Sequence, residues 1–303
     1  MAAKTDVLCI GVALVDSIIR GFDPEPVSAS GYRAESGTLM AGGEAVNQSV
    51  AAARLGLRTA FIGTVGDDEP GKWILRDFEA EKVSTEGMLV RKGHTSAIAY
   101  CWIDAPTGKR SVAWTRGTLP ELKGEEVNPE MIRSTRLLHL DGHNPAAALA
   151  AAKEARKHDI PVLLDAGTLR DGVKELLPYV TVLIASELFA RQFSGESDLK
   201  KALLKLGTVG AEVTGVTMGK DGSMTLDGGK ILFCPAFRIE PVDTTGAGDV
   251  YHAAFGVRYL ETHDLLDCMR FASAVSAIKC LQLGGRAGIP DRKQVDEFLK
   301  QHQ

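Results

Sequence analysis

The chain has 303 residues, 45% of them hydrophobic and 24% charged, with a formal net charge of -4. These proportions fit an ordinary globular protein with room for one large core, and the slight acidity excludes the basic surface that nucleic acid or an anionic membrane requires, leaving a small molecule as the natural ligand. Cys9, Cys101, Cys234, Cys268 and Cys280 are odd in number, scattered and never spaced C-x-x-C, which suggests neither a disulfide framework nor a zinc site and points to the reducing cytoplasm.

Met1 to Asp6 pass directly into a strand-like run, Val7 to Gly11, with no signal-peptide core, and no apolar stretch approaches membrane-spanning length. Asp16 follows that strand. Gly42 and Gly43 precede an alanine-rich helix predicted from Glu44 to Gly56, and Asn47 stands one turn into it, where an amide and glycine backbone can face one small ligand. A strand from Thr59 to Val65 leads to Gly66-Asp67-Asp68-Glu69-Pro70-Gly71-Lys72-Trp73. This is rejected as a P-loop, because Trp73 replaces the magnesium-binding hydroxyl and three carboxylates line the supposed cradle. A turn and the start of a helix from Pro70 to Glu81 is the direct reading.

Two stretches break the strand and helix alternation, Ile18 to Met40 and Ser96 to Trp114. The second alternates Ile98, Tyr100, Trp102, Val112 and Trp114 around Ala105-Pro106-Thr107-Gly108, which predicts a hairpin added to the edge of the sheet. Arg33 and Arg116 lie in or beside these stretches and either meet an anionic group on a substrate or are ordinary solvated arginines. His139 and His143 flank Asp141 and Gly142 in a stretch with a glycine and no helical pattern, which argues against a metal pair. Asp141 and His143 follow a strand, where ligands gather in α/β sheets, so substrate contact is open to them.

Strands predicted at Pro161 to Asp165 and Val213 to Met218 continue a parallel sheet covered by helices. Thr217, Gly219 and Gly222 close the latter, either as a plain β-turn or as a turn that accommodates a phosphate. Next, Asp243-Thr244-Thr245-Gly246-Ala247-Gly248-Asp249 opens onto an apolar helix. The first amides of a helix form a site for an anion, and glycines admit a ligand close to the backbone. A carboxylate beside such a site is suited to taking a proton from an attacking hydroxyl, and equally to capping the helix. An amphipathic helix from Arg292 to Lys300 ends the chain.

The string D-T-T-G-A-G-D-V-Y-H-A-A-F resembles the second signature of the PfkB/ribokinase family of carbohydrate kinases, and V-G-D-D-x-x-G at Val65 to Gly71 resembles the first. The likeness spans essentially the whole chain, and the stretch from Asp243 to Pro290 is most similar to bacterial ketose-type members such as sulfofructose kinase and ketohexokinase. It implies one ribokinase-like α/β domain over residues 1–303: a three-layer sandwich around a mostly parallel sheet, with a small β-sheet lid from about 17–40 and 95–116. It further implies an ATP-dependent kinase with Asp249 as general base and the Gly246, Ala247 and Gly248 amides at the transferring phosphoryl group. By the same resemblance Asp16, Gly42, Gly43 and Asn47 bind sugar, joined by Arg116 and His143, while Thr217, Gly219, Gly222 and Gly285 attend the nucleotide. Magnesium accompanies ATP, and carbonyls near Asp243, Thr245 and the Leu283 to Pro290 loop are where relatives hold potassium. The lid is where a homodimer would form.

One departure is Ser186-Glu187-Leu188-Phe189 in place of the family's N-x-x-E, so that Glu187 or water must serve the magnesium and phosphate network. The readings are a kinase acting on a primary hydroxyl of a pentose, ketohexose or related sugar, a nucleoside kinase of the same family, or a catalytically silent relative.

Overall fold

The computed structural model describes residues 5–21, 33–103 and 110–302. The chain begins with β1 (Val7–Ile10), β2 (Leu14–Arg20), β3 (Ser36–Gly42), α1 (Glu44–Arg54), β4 (Thr59–Gly66), α2 (Glu69–Ala80), β5 (Val83–Arg91), β6 (Ala97–Ile103) and β7 (Arg110–Thr115). It continues with α3 (Pro129–Arg133), β8 (Leu137–Leu140), α4 (Pro145–Arg156), β9 (Val162–Ala166), α5 (Val173–Leu176), β10 (Val182–Ser186), α6 (Glu187–Ser194) and α7 (Leu199–Leu206). The last elements are β11 (Val213–Thr217), β12 (Ser223–Asp227), β13 (Lys230–Cys234), α8 (Ala247–Thr262), α9 (Leu265–Lys279) and α10 (Arg292–Gln301).

Nine strands form the main sheet in the order β13-β12-β11-β10-β9-β8-β1-β4-β5, parallel except at β11-β12-β13. Because side chains alternate along a strand, Val7 and Cys9 enter one apolar core while Leu8 and Ile10 enter the other. The first core packs the sheet against α1, α2, α8, α9 and α10, the second against α3 to α7. Burial on both faces explains why the strands read as near-continuous apolar runs. The strand order runs outward in both directions from β1 and β8, and in open α/β sheets this reversal opens a crevice beyond the strands' carboxyl ends.

The hairpin expected at the edge of that sheet is instead part of a second sheet. β6 and β7 pair antiparallel, β6 lies parallel to β2, and β2 pairs with β3, in the order β3-β2-β6-β7. The physical reason lies in burial: Ile18, Ala97, Ala99, Cys101 and Ile103 form an apolar cluster of their own with Val12 and Leu14, separate from the two cores of the main sheet. The turn Ala105-Pro106-Thr107-Gly108, and much of the stretch between β2 and β3, lie outside the described residues. The rejected P-loop is indeed a turn and a helix start: the Asp68 side chain caps α2 by accepting from Gly71 N at 2.9 Å. No helix among the described residues is long and apolar enough to cross a membrane.

Candidate active site

Gly246 stands at φ +73° immediately before α8, a left-handed conformation that suits glycine. A Cβ there would lie 2.8 Å from Gly285 O and 3.2 Å from Asn47 Nδ2, so the turn is packed against both. Asp249 falls in the first turn of α8, and Asn47 in α1 donates from Nδ2 to its Oδ2 at 2.6 Å. Two residues separated by most of the chain are thus joined at the helix terminus, and the amide fixes which way the carboxylate faces. The turn is braced from below. Asp243 is buried; its carboxylate accepts from Thr245 N at 2.8 Å and Gly284 N at 2.7 Å, and its carbonyl accepts from Lys279 Nζ at 3.0 Å. Burial alone would push the Asp243 carboxyl up, yet these hydrogen bonds and the Lys279 charge hold it below the usual carboxylate range.

Beside the turn lies a mostly apolar cavity of about 490 Å³. Thr217, Gly219 and Gly222 line it from the end of β11, Ala247, Gly248 and Tyr251 from α8, and Ser273, Ser276, Ala277 and Cys280 from α9 and its end. A cavity of this size, apolar with a few polar groups, suits a purine nucleoside whose phosphates reach a helix terminus. Glu187 and Gly285 do not line it. Glu187 pairs with Arg191 at 2.8 Å, Ser186 caps α6 by accepting from Phe189 N at 3.0 Å, and Gly285 packs on Asn47 and Gly246. Among the described residues no group of three or more His, Cys, Asp or Glu is placed to hold a metal ion.

The opposite flank is built around the first glycine pair. Asp16, on β2 of the small sheet, is buried, and Cys101 Sγ approaches its Oδ1 at 3.8 Å. A Cβ on Gly42 would stand 1.9 Å from Asp16 Oδ2, so only glycine lets β3 pass this carboxylate. Asp141, fully buried after β8, accepts from Val12 N at 2.9 Å and His143 N at 2.9 Å, tying the ends of β1 and β8 together. A second cavity of about 280 Å³ is lined by Trp114, Arg116, His143 and Arg170 among others. Arg116 donates to Asn144 Oδ1 at 3.1 Å and to His143 O at 3.2 Å, and the Trp114 ring meets the His143 ring edge-on.

Sequence reasoning missed Glu44, Arg170 and Lys279. Glu44 lies 3.4 Å from His143 Nε2 and 3.0 Å from Arg170 Nη2. Burial opposes its charge, but His143 and Arg170 outweigh that and hold its carboxyl down at about 2. Burial likewise opposes a charged His143, and Glu44 and Asp141 more than offset it, raising its pKa. Glu44 sat in plain view between Gly43 and Asn47. Lys279 is a lone charge at the end of an apolar helical run, a detectable signal, whereas Arg170 has none locally. His139 is buried, and burial, with the nearby His252, pushes its pKa well down.

The site therefore has an oriented carboxylate in the first turn of a helix whose start lines a nucleotide-sized cavity. The sequence profile of pfkB family carbohydrate kinases matches residues 4–292. A ribokinase of Bacillus subtilis is 30% identical over 302 residues, 97% of this chain and 99% of its own length. A protein of Agrobacterium tumefaciens provisionally assigned as a ribokinase has a solved structure that superposes with a TM-score of 0.92 at 29% identity, covering 98% of each chain. Arabidopsis thaliana ribokinase, solved with ribose and ATP, superposes with a TM-score of 0.85 at 26% identity and 99% coverage of both chains. The Bacillus and Arabidopsis relatives are named ribokinases, not the ketose-type kinases that the C-terminal stretch resembles. With both signatures, the two-sheet fold and a match along nearly its whole length, the chain belongs to the pfkB family of carbohydrate kinases, ATP-dependent phosphotransferases with an alcohol acceptor.

Proposed function

We propose that the protein transfers the γ-phosphoryl group of ATP to a primary hydroxyl of a pentose, ketohexose or related sugar, with ribose the first to test. The contact that supports this reading most directly is Asn47 Nδ2 to Asp249 Oδ2 at 2.6 Å, beside the Gly246 to Gly248 turn. Asp249 accepts the hydroxyl proton, the hydroxyl oxygen bonds to the γ-phosphorus, and the bond from that phosphorus to the bridging β-γ oxygen breaks, releasing ADP. The amides of Gly246, Ala247 and Gly248 meet the charge on the transferring group, and ATP occupies the cavity lined by Thr217, Gly219 and Gly222. Magnesium, held by the nucleotide phosphates and water, supplies charge neutralisation. Gly285 acts by backing Asn47, and Glu187 by steadying the start of α6 through Arg191, rather than by touching the nucleotide.

On the sugar side Asp16, Gly42, Gly43 and Asn47 order the hydroxyls, and a carboxylate with an amide is apt because each hydroxyl both donates and accepts. His143 and Arg116 shape the far wall of the smaller cavity. The whole chain acts as one domain in the cytoplasm, in keeping with five buried cysteines. ADP release should be measured over pentoses, ketohexoses, sugar acids and nucleosides, with Asp249→Asn as control. That variant is expected to lower kcat about 10²- to 10⁴-fold while sugar and ATP still bind; undiminished turnover by the variant would remove Asp249 from the role of base.

A further inference from the structure

The last residue of α9, Lys279, is fully buried at 0% exposure. A buried ammonium must be paired, and its partner here is the peptide carbonyl of Asp243, at 3.0 Å from Nζ. That carbonyl opens the turn leading to Gly246, and the Asp243 carboxylate binds Thr245 N within the turn and Gly284 N across from it. A cation thus already sits at the place where the sequence resemblance leads one to expect a monovalent metal ion.

The surrounding residues do not fit such an ion. Holding potassium takes a ring of inward carbonyl oxygens in place of its hydration shell. Here Arg286 O accepts from Arg54 Nη1 at 3.0 Å and Ile289 N at 3.0 Å, and Ile289 O accepts from the same Arg54 nitrogen at 2.9 Å. Cys280 O accepts from Val242 N and Asp243 N. The carbonyl of Lys279 accepts from Gln282 N at 3.3 Å, and Gly288 is packed so closely on it that a Cβ would lie 2.3 Å away. These oxygens are engaged by protein donors, and a metal ion on Asp243 O would share that oxygen with an ammonium of like charge.

We propose that Lys279 serves as a built-in monovalent cation, its ammonium bracing the Asp243 to Gly248 turn so that the enzyme needs no potassium. It is a positioning residue, acting on the phosphoryl group only through the turn. Only the kinetic part of the test rests on the kinase reading above.

The test compares potassium chloride with choline chloride at equal ionic strength. Wild-type melting temperature and kcat should each be the same in both salts, since a cation with no site on the native state cannot stabilise it by mass action. Lys279→Met keeps length and apolar stem but removes the charge. In choline its kcat is expected to fall about tenfold or more with little change in sugar KM, and potassium or ammonium ions should restore part of it and raise its melting temperature. Saturable activation or stabilisation of the wild type by potassium overturns the proposal, as does a Lys279→Met protein that is fully active in choline. If the variant does not fold, the wild-type titration decides alone. If no sugar is turned over, the kinase reading fails separately while the wild-type melting comparison still decides the role of Lys279.

Discussion

Glu44 and His143 form an ion pair whose charged state the fold stabilises on both partners. Because the His143 pKa is raised, its contribution is complete below about 6.5, the ordinary histidine value, and is lost as pH rises through the higher folded value. Because the Glu44 pKa is lowered to about 2, its contribution is complete above 4.5 and is lost as pH falls toward 2. The difference in melting temperature between wild type and His143→Gln should therefore be largest below about pH 6.5 and shrink as pH rises above it; a constant difference would show that the pair does not titrate. Gly42→Ala sets a Cβ 1.9 Å from Asp16 Oδ2, so the carboxylate must move. Its sugar KM is expected to rise about tenfold or more with ATP affinity unchanged, measurable by steady-state kinetics and calorimetry. At this scale the sequence was informative where residue type and backbone geometry coincide, as in Gly246 to Asp249. It was silent on Arg170, because nothing in the local string tells an arginine that it will cross to α1 and meet Glu44.

Helix ends and strand ends were the most legible elements, because caps and glycines are written locally. Gly56, read as the stop of the first helix, has φ +97° just beyond α1, and Asp291 with Gln294 forms a capping box at the start of α10. The pairing of the small sheet was not legible, since β2 meets β6 in parallel across some eighty intervening residues and alternation alone cannot say which sheet a hairpin joins. One side chain couples these levels. Asp68 caps α2 and also accepts from Ser96 N at 2.8 Å and Ser96 Oγ at 2.5 Å, immediately before β6. Asp68→Ala is expected to cost about 1–3 kcal/mol, seen as a lower denaturation midpoint, because a helix cap and a strand anchor are lost together. A midpoint equal to wild type would mean that water replaces both.

For the molecule as a whole, the small sheet presents Leu39 and Tyr100, 56% and 47% exposed, on the face opposite Asp16. Paired in register through Ser17, they form an apolar row of the kind that interfaces cover, and a homodimer through this sheet is our proposal for what covers it. Light scattering should give a dimer mass that Leu39→Glu reduces to the monomer; a monomeric wild type would refute it. The same sheet has a kinetic consequence. Asp16 lies on β2 of the small sheet, whereas Asp249 lies in α8 against the main sheet, so under the proposed roles acceptor binding and acceptor activation are carried by different sheets. On that proposal a sugar bound by Asp16 would link the two sheets across the site, as water, too small to bridge them, would not. Under the proposed roles, fidelity would be a matter of mechanics as much as of affinity, because only an acceptor spanning both sheets would be placed for transfer.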